Sequence, residues 1–280
     1  MKPWTWFAWP LTLGVAVVLT WFASLYVFEQ PRLDPRVQQR TLSSAVLGET
    51  RAYLVHLPEG YADQPDQRYP VIYVLDGSSQ DLHTAASAAL MARIGVLPEM
   101  IVVGIPNVSG PGRQRDYTPP GMRQDLDEDD TRLGGGDGFL DFIETELVPA
   151  VEGEFRTNGR RELSGHSRGG LLVMHAFVSR PERFAAFHAH SPALWRDDQA
   201  MVERLQAALV AGPRARARLF LSLGEHENPR MAAAYEAAVA VLSDSAPPGL
   251  RWRAYRTPGA DHGNNGERAT PVGLQWSNAP

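Results

Sequence analysis

The chain contains no cysteine and only one lysine, Lys2. The first absence excludes a disulfide scaffold, a thiolate metal site, a cysteine nucleophile and a lipid-modified cysteine anchor. The second removes Schiff-base chemistry, which needs a lysine amine. Every other basic residue is arginine, and 27 Lys+Arg against 32 Asp+Glu leave a formal charge of −5. That balance lacks the basic stripe of a nucleic-acid surface, so no such partner is expected. What remains is ordinary for a folded protein: 280 residues, 44% hydrophobic and 21% charged. One α/β domain of about 250 residues fits that length.

The charge is absent in one more place. From Pro3 to Phe28 no residue is charged, and the stretch is apolar almost throughout. About 20 such residues span a bilayer as a helix. Trp4, Trp6 and Trp9 stand at one end and Trp21 and Tyr26 towards the other, as interfacial aromatic belts do. A cleaved signal peptide is the alternative, yet its apolar core is shorter and the small residues before a cut are poorly matched at Phe22–Leu25. Residues 1–28 are therefore expected to be a retained transmembrane anchor. Lys2 on the short side favours a periplasmic location for the rest, held at a bacterial inner membrane. Residues 29–40, with Pro31 and Pro35, read as a tether, and 41–280 as one catalytic-sized domain.

Within that domain strands and helices alternate. Ala52–Leu57 alternates as a half-buried strand, whereas Pro70–Leu75 and Met100–Ile105 are continuous apolar runs, as expected of strands covered on both faces. Strands are further expected at Arg161–Ser164, Phe184–His190, Ala217–Leu223 and Leu250–Arg256. Helices are expected at Asp81–Gly95, Phe139–Phe155, Gly169–Ser179, Asp197–Val210, Pro229–Ser243 and near Glu267–Trp276. This order predicts a mostly parallel sheet with helices on both faces. Pro106–Gly138 reads as a long loop with an acidic run at Asp125–Asp130, of the kind that lies over a site. Only about one helix separates the strand ending at His190 from the next, which leaves no room for a separate cap domain.

The sharpest motif is Gly165-His166-Ser167-Arg168-Gly169, followed by Gly170, between a predicted strand and a predicted helix. A turn that tight strains the serine backbone and brings the flanking residues too close for side chains, hence the glycines. It also aims the hydroxyl at a helix amino terminus, where N–H groups favour developing negative charge. A nucleophilic serine needs a base, and hydrolases of this type run serine, acid, histidine along the chain. Of the eight histidines, His262 in the turn-rich Pro258–Asn265 satisfies that order. The acid should follow the strand ending at Leu223, where both Glu225 and Glu227 are available; Glu227 is favoured as lying further from the strand end. One oxyanion donor should be the N–H of Arg168 and the second the N–H of Ser78, in Asp76-Gly77-Ser78 after the first apolar strand. His188 and His190 share a strand face, but no third ligand is evident, so neither a metal nor another cofactor is expected.

These pieces resemble the esterase D-like family of α/β-hydrolases. Its members include enterobactin-type siderophore esterases, feruloyl and acetylxylan esterases, S-formylglutathione hydrolases and mycolyltransferases. The resemblance is carried by Tyr73-Val-Leu-Asp-Gly77, Arg115-Asp-Tyr-Thr-Pro119, the run from Phe139 to Pro149, Gly165–Gly170, Ser191-Pro-Ala-Leu-Trp195 and Asp261-His-Gly263, across nearly all of residues 40–265. It implies an α/β-hydrolase fold, a Ser167–Glu227–His262 triad, a second oxyanion donor after Gly77, and Trp195 near the acyl pocket. The best local match is to the siderophore-esterase branch, some of whose members are anchored in the periplasm. Arg168 departs from that branch, where many relatives are apolar, and would meet an anionic substrate or pair with a loop carboxylate. The expected partner is thus a small-molecule or envelope ester. Transfer of the acyl group to another acceptor, or a non-catalytic binding role, is the alternative.

Overall fold

The computed structural model describes residues 36–122, 133–212 and 217–279. The expected anchor at 1–28 and the acidic run Asp125–Asp130 lie outside them. Among the described residues no helix is long and apolar enough to cross a membrane.

Eight strands form one sheet in the order β1-β2-β4-β3-β5-β6-β7-β8. They are β1 Val37–Ser44, β2 Glu49–His56, β3 Tyr69–Leu75, β4 Ile101–Ile105, β5 Thr157–His166, β6 Ala186–His190, β7 Arg218–Gly224 and β8 Arg251–Thr257. β1, β2 and β4 pair antiparallel, and every pairing from β4 through β3 to β8 is parallel. This is the α/β-hydrolase arrangement. The continuous apolar runs divide by alternation as double-sided burial requires. Val71, Tyr73, Leu75, Ile101, Val103 and Ile105 enter one core. Ile72, Val74 and Val102 enter the other, against Ala88, Met91 and Leu274.

The helices are α1 Gln80–Arg93, α2 Gly110–Tyr117, α3 Gly136–Phe142, α4 Val148–Glu154, α5 Arg168–Ser179, α6 Arg196–Val210, α7 Pro229–Ser245 and α8 Asn265–Asn278. Helices α1 and α8 share the smaller core, through Ala88, Met91 and Leu274. Helices α3 to α7 supply the larger one, through residues such as Phe139, Val151, Leu171, Leu205 and Tyr235.

Three sequence expectations change. The last four residues of the 29–40 tether belong to β1, which pairs with β2 from Val37↔His56 to Ser44↔Glu49. Its residues, VQQRTLSS, carry no apolar run because β1 is an edge strand. The helix expected over Phe139–Phe155 is interrupted by a π turn at Ile143–Leu147. Pro149 stands at the start of α4, and having no N–H it cannot donate to the preceding turn, which widens to pass its ring. The loop expected at 106–138 contains α2, whose first turn is capped by the Ser109 hydroxyl accepting from the Gly112 N–H at 3.0 Å. The segment GPGRQRDY has no apolar period to betray a helix.

Candidate active site

Ser167 sits between β5 and α5 at φ 58°, ψ −117°, a left-handed conformation that side chains resist. The glycines around it are required by contact. A Cβ on Gly165 would lie 2.6 Å from the Gly169 backbone, and one on Gly170 would lie 3.0 Å from the His190 carbonyl oxygen. The turn is pinned by the Ser167 N–H donating to His190 at 2.9 Å and by the Ala193 N–H donating to the Ser167 carbonyl at 3.0 Å. It thereby holds the hydroxyl at the amino end of α5.

His262 comes from the turn between β8 and α8. Its Nε2 is 3.0 Å from Ser167 Oγ and its Nδ1 is 3.0 Å from Glu227 Oε2. The imidazole is 43% exposed while the Glu227 side chain is fully buried, so the ring bridges solvent and interior. Burial raises the Glu227 pKa, but hydrogen bonds from His262 and from Ser191 outweigh it and hold the carboxyl below its usual range. The second of these runs from Ser191 Oγ to Glu227 Oε1 at 2.5 Å. Behind it Asn265 donates to Ser191 Oγ at 2.8 Å and to Ser222 Oγ at 3.1 Å. Glu225 does not reach the imidazole. It is exposed and accepts the Gly259 N–H at 2.6 Å, bracing the loop that carries His262 from outside.

The opposite wall is the turn after β3. The Gly77 N–H is spent on the Ile105 carbonyl at 3.0 Å. A Cβ on Gly77 would lie 2.4 Å from the Ile105 backbone nitrogen, so the turn lies directly on β4. Asp76 and Ser78 both have positive φ, 57° and 76°. This strained turn is anchored through Asp76, which accepts from Arg113 Nε at 2.6 Å and Nη2 at 2.8 Å and from Asn107 Nδ2 at 2.5 Å. The Asp76 N–H also donates to the Tyr117 hydroxyl at 2.9 Å. Arg113 and Tyr117 lie in α2, the helix hidden in the expected loop. Sequence reading missed these supports, although Tyr117 lies inside one of the matching motifs.

Other expected residues have other surroundings. Arg168 is 7% exposed, and its guanidinium donates to the Thr118 hydroxyl at 3.2 Å. Trp195 is partly buried and carries the Arg230 guanidinium 4.5 Å above its ring. His188 Nε2 donates to the Glu162 carboxylate at 2.8 Å, both side chains buried. Among the described residues no group of three His, Cys, Asp or Glu side chains is placed to hold a metal ion. His166 packs 4.8 Å from the His262 ring. Burial and the neighbouring imidazole push its pKa down to about 4, so it stands neutral against His262.

The fold is that of an α/β-hydrolase, and it brings Ser167, His262 and Glu227 within hydrogen-bonding reach. The chain belongs to the Putative esterase family, whose model matches residues 44–268. It is 32% identical over 173 residues to the ferri-bacillibactin esterase BesA of Bacillus subtilis, covering 57% of this chain and 59% of that protein. It is 32% identical over 174 residues to the siderophore triacetylfusarinine C esterase of Aspergillus fumigatus, covering 57% of each. The chain thus spans under three fifths of the length of these curated relatives. Among solved structures, an IroE-like serine hydrolase from Shewanella oneidensis superposes with a TM-score of 0.78 at 33% identity. That match covers 86% of this chain and 79% of the other. The BES protein from Bacillus cereus, 24% identical, has the same fold with a TM-score of 0.81 over 90% of this chain and 99% of its own.

Proposed function

We propose that this chain is a serine carboxylic-ester hydrolase acting through Ser167, His262 and Glu227. The observation that carries the reading is the continuous relay at 3.0 Å and 3.0 Å from Ser167 Oγ through His262 to the buried Glu227. Ser167 Oγ attacks the ester carbonyl carbon as its proton passes to His262 Nε2. Nδ1–H donates to Glu227, which fixes the tautomer and balances the charge that the ring acquires. The oxyanion of the tetrahedral intermediate accepts from the N–H groups of Arg168 and Ser78. Collapse breaks the bond to the leaving alcohol, which takes the proton from Nε2. Water, deprotonated by the same histidine, then cleaves the acyl-enzyme and releases Ser167.

The substrate class we infer is a siderophore-type ester or lactone. It is supported by two relatives whose names are those of siderophore esterases, at 32% identity each. A bacterial periplasmic location, with residues 1–28 as a retained inner-membrane anchor, is supported by the uncharged apolar run from Pro3 to Phe28.

The test is hydrolysis of p-nitrophenyl esters from acetate to decanoate, followed by siderophore trilactones, with Ser167→Ala alongside. Loss of turnover by roughly four orders of magnitude or more in a variant that keeps its fold is the expected result. Wild-type rates in Ser167→Ala would overturn the assignment. Product analysis with added alcohols separates hydrolysis from acyl transfer.

A further inference from the structure

The sheet face covered by α1 and α8 is finished unevenly. Helix α8 turns Glu267, Arg268 and Gln275 to solvent. Helix α1 and the turn after it expose Leu82 (56%), Leu90 (50%), Ile94 (62%) and Val96 (41%) instead. These are four of the seven large hydrophobic side chains exposed among the described residues. Leu82, Ala86, Leu90 and Ile94 recur every fourth residue and so make one stripe. Between residues 80 and 98 the only charged side chains are Asp81, which is fully buried, and Arg93, which is exposed beside the stripe. A continuous apolar strip of this kind marks a contact surface.

The course of the chain points to what covers it. The Arg36 carbonyl accepts the Leu57 N–H at 3.1 Å, and its guanidinium meets Glu59 at 3.4 Å. Leu57 and Glu59 form one wall of a cleft whose opposite wall is Ala85, Ala89 and Arg93 of α1. The domain is therefore entered from the α1 side. Only residues 29–35 separate Arg36 from the apolar segment ending at Phe28. Seven residues reach about 25 Å at most, so on the anchor reading Arg36, and with it the adjoining cleft, lies within that reach of a bilayer. The two acids at the cleft are engaged, Glu59 by Arg36 and Glu99 by the Gly60 N–H at 2.8 Å. The charge of Glu59 is balanced by Arg36, whereas Glu99 keeps its charge and is set back at the cleft, only partly exposed.

We propose that the stripe Leu82–Leu90–Ile94–Val96 rests on the membrane surface, with its side chains in the headgroup boundary and Arg93 against lipid phosphate. The proposal rests on the reading of residues 3–28 as a retained anchor. Because α1 begins two residues after Ser78, the contact also holds the oxyanion side of the site close to the membrane.

The absence of cysteine makes the test clean. Single cysteines are introduced by Leu90→Cys, by Ile94→Cys and, as a control in α6 on the opposite face, at Val210, which is 73% exposed. Each is labelled with bimane in the full chain, reconstituted in phosphatidylcholine–phosphatidylglycerol vesicles with or without nitroxide-bearing acyl chains. The expected result is at least about twofold nitroxide quenching at 90 and 94 and none at 210. Protein that floats with the vesicles but shows no quenching at 90 and 94, or equal quenching at all three positions, overturns the contact and leaves the anchor standing. Protein that does not float with the vesicles overturns both.

Discussion

Replacing Glu227 by glutamine removes one negative charge from a position that solvent does not reach, since the side chain is 0% exposed. Its Oε2 lies 3.0 Å from His262 Nδ1, which puts the centres of charge about 4 Å apart once the ring is protonated. At an effective dielectric constant near 20, that pair is worth about 4 kcal/mol in the charged intermediate. The free substrate complex, with a neutral ring, gains little of it. The loss therefore falls on the barrier and is expected to lower kcat about 10³-fold with KM little changed. Ser191 Oγ, itself held by Asn265, remains to bond the amide, so the variant should fold. Glu225→Gln is the internal control. Its carboxylate is exposed and serves the Gly259 N–H, so a change below about threefold is expected. The assay is steady-state hydrolysis of p-nitrophenyl butyrate, with melting curves for both variants. A folded Glu227→Gln retaining a tenth of wild-type kcat, or a Glu225→Gln that is inactive while Glu227→Gln is not, would refute the reasoning.

Three further outcomes follow from the same geometry. Arg113→Leu removes both guanidinium bonds to Asp76 and should lower kcat about 10- to 100-fold, with KM within about threefold, because the oxyanion turn loses its position; an unchanged kcat would mean that Asn107 and Tyr117 suffice. Gly77→Ala drives a methyl group to 2.4 Å from the Ile105 nitrogen and should cost about 3 kcal/mol, a drop in Tm of roughly 6–12 °C; a shift below about 2 °C would show that the turn moves freely. His166, with a folded pKa of about 4 against 6.5 in the unfolded chain, binds its proton only on unfolding between those values. Its contribution is complete above pH 6.5 and declines by about 3 kcal/mol as pH falls towards 4, so urea midpoints should fall over that window and fall less in His166→Gln. Below the ordinary carboxylate range Glu227 adds a loss of the same sign, since its folded pKa is depressed.

Much of this protein is local enough to be written in its sequence. Ser167 was legible as the candidate nucleophile because its tight turn needs glycines at positions 165, 169 and 170, all within six residues of chain, between an apolar strand and an apolar helix. The interior strands β3 and β4 were legible because a strand buried on both faces, with no polar partners for its side chains, reads as a continuous apolar run. His262 followed from chain order and from a turn rich in glycine and asparagine. The anchor expected of the uncharged run from Pro3 to Phe28 lies outside the described residues. Tertiary structure decided the rest, because the deciding partners are far apart in the chain. Glu225 and Glu227 are two residues apart in one loop, and only the path of that loop over β8 sends the first out to Gly259 and the second in to His262. Arg113 meets Asp76 across 37 residues and Asn265 meets Ser191 across 74, distances at which no periodicity links a donor to its acceptor. The edge strand β1 has the same cause. It is polar because one of its sides is open, and only its register with β2 makes it part of the sheet.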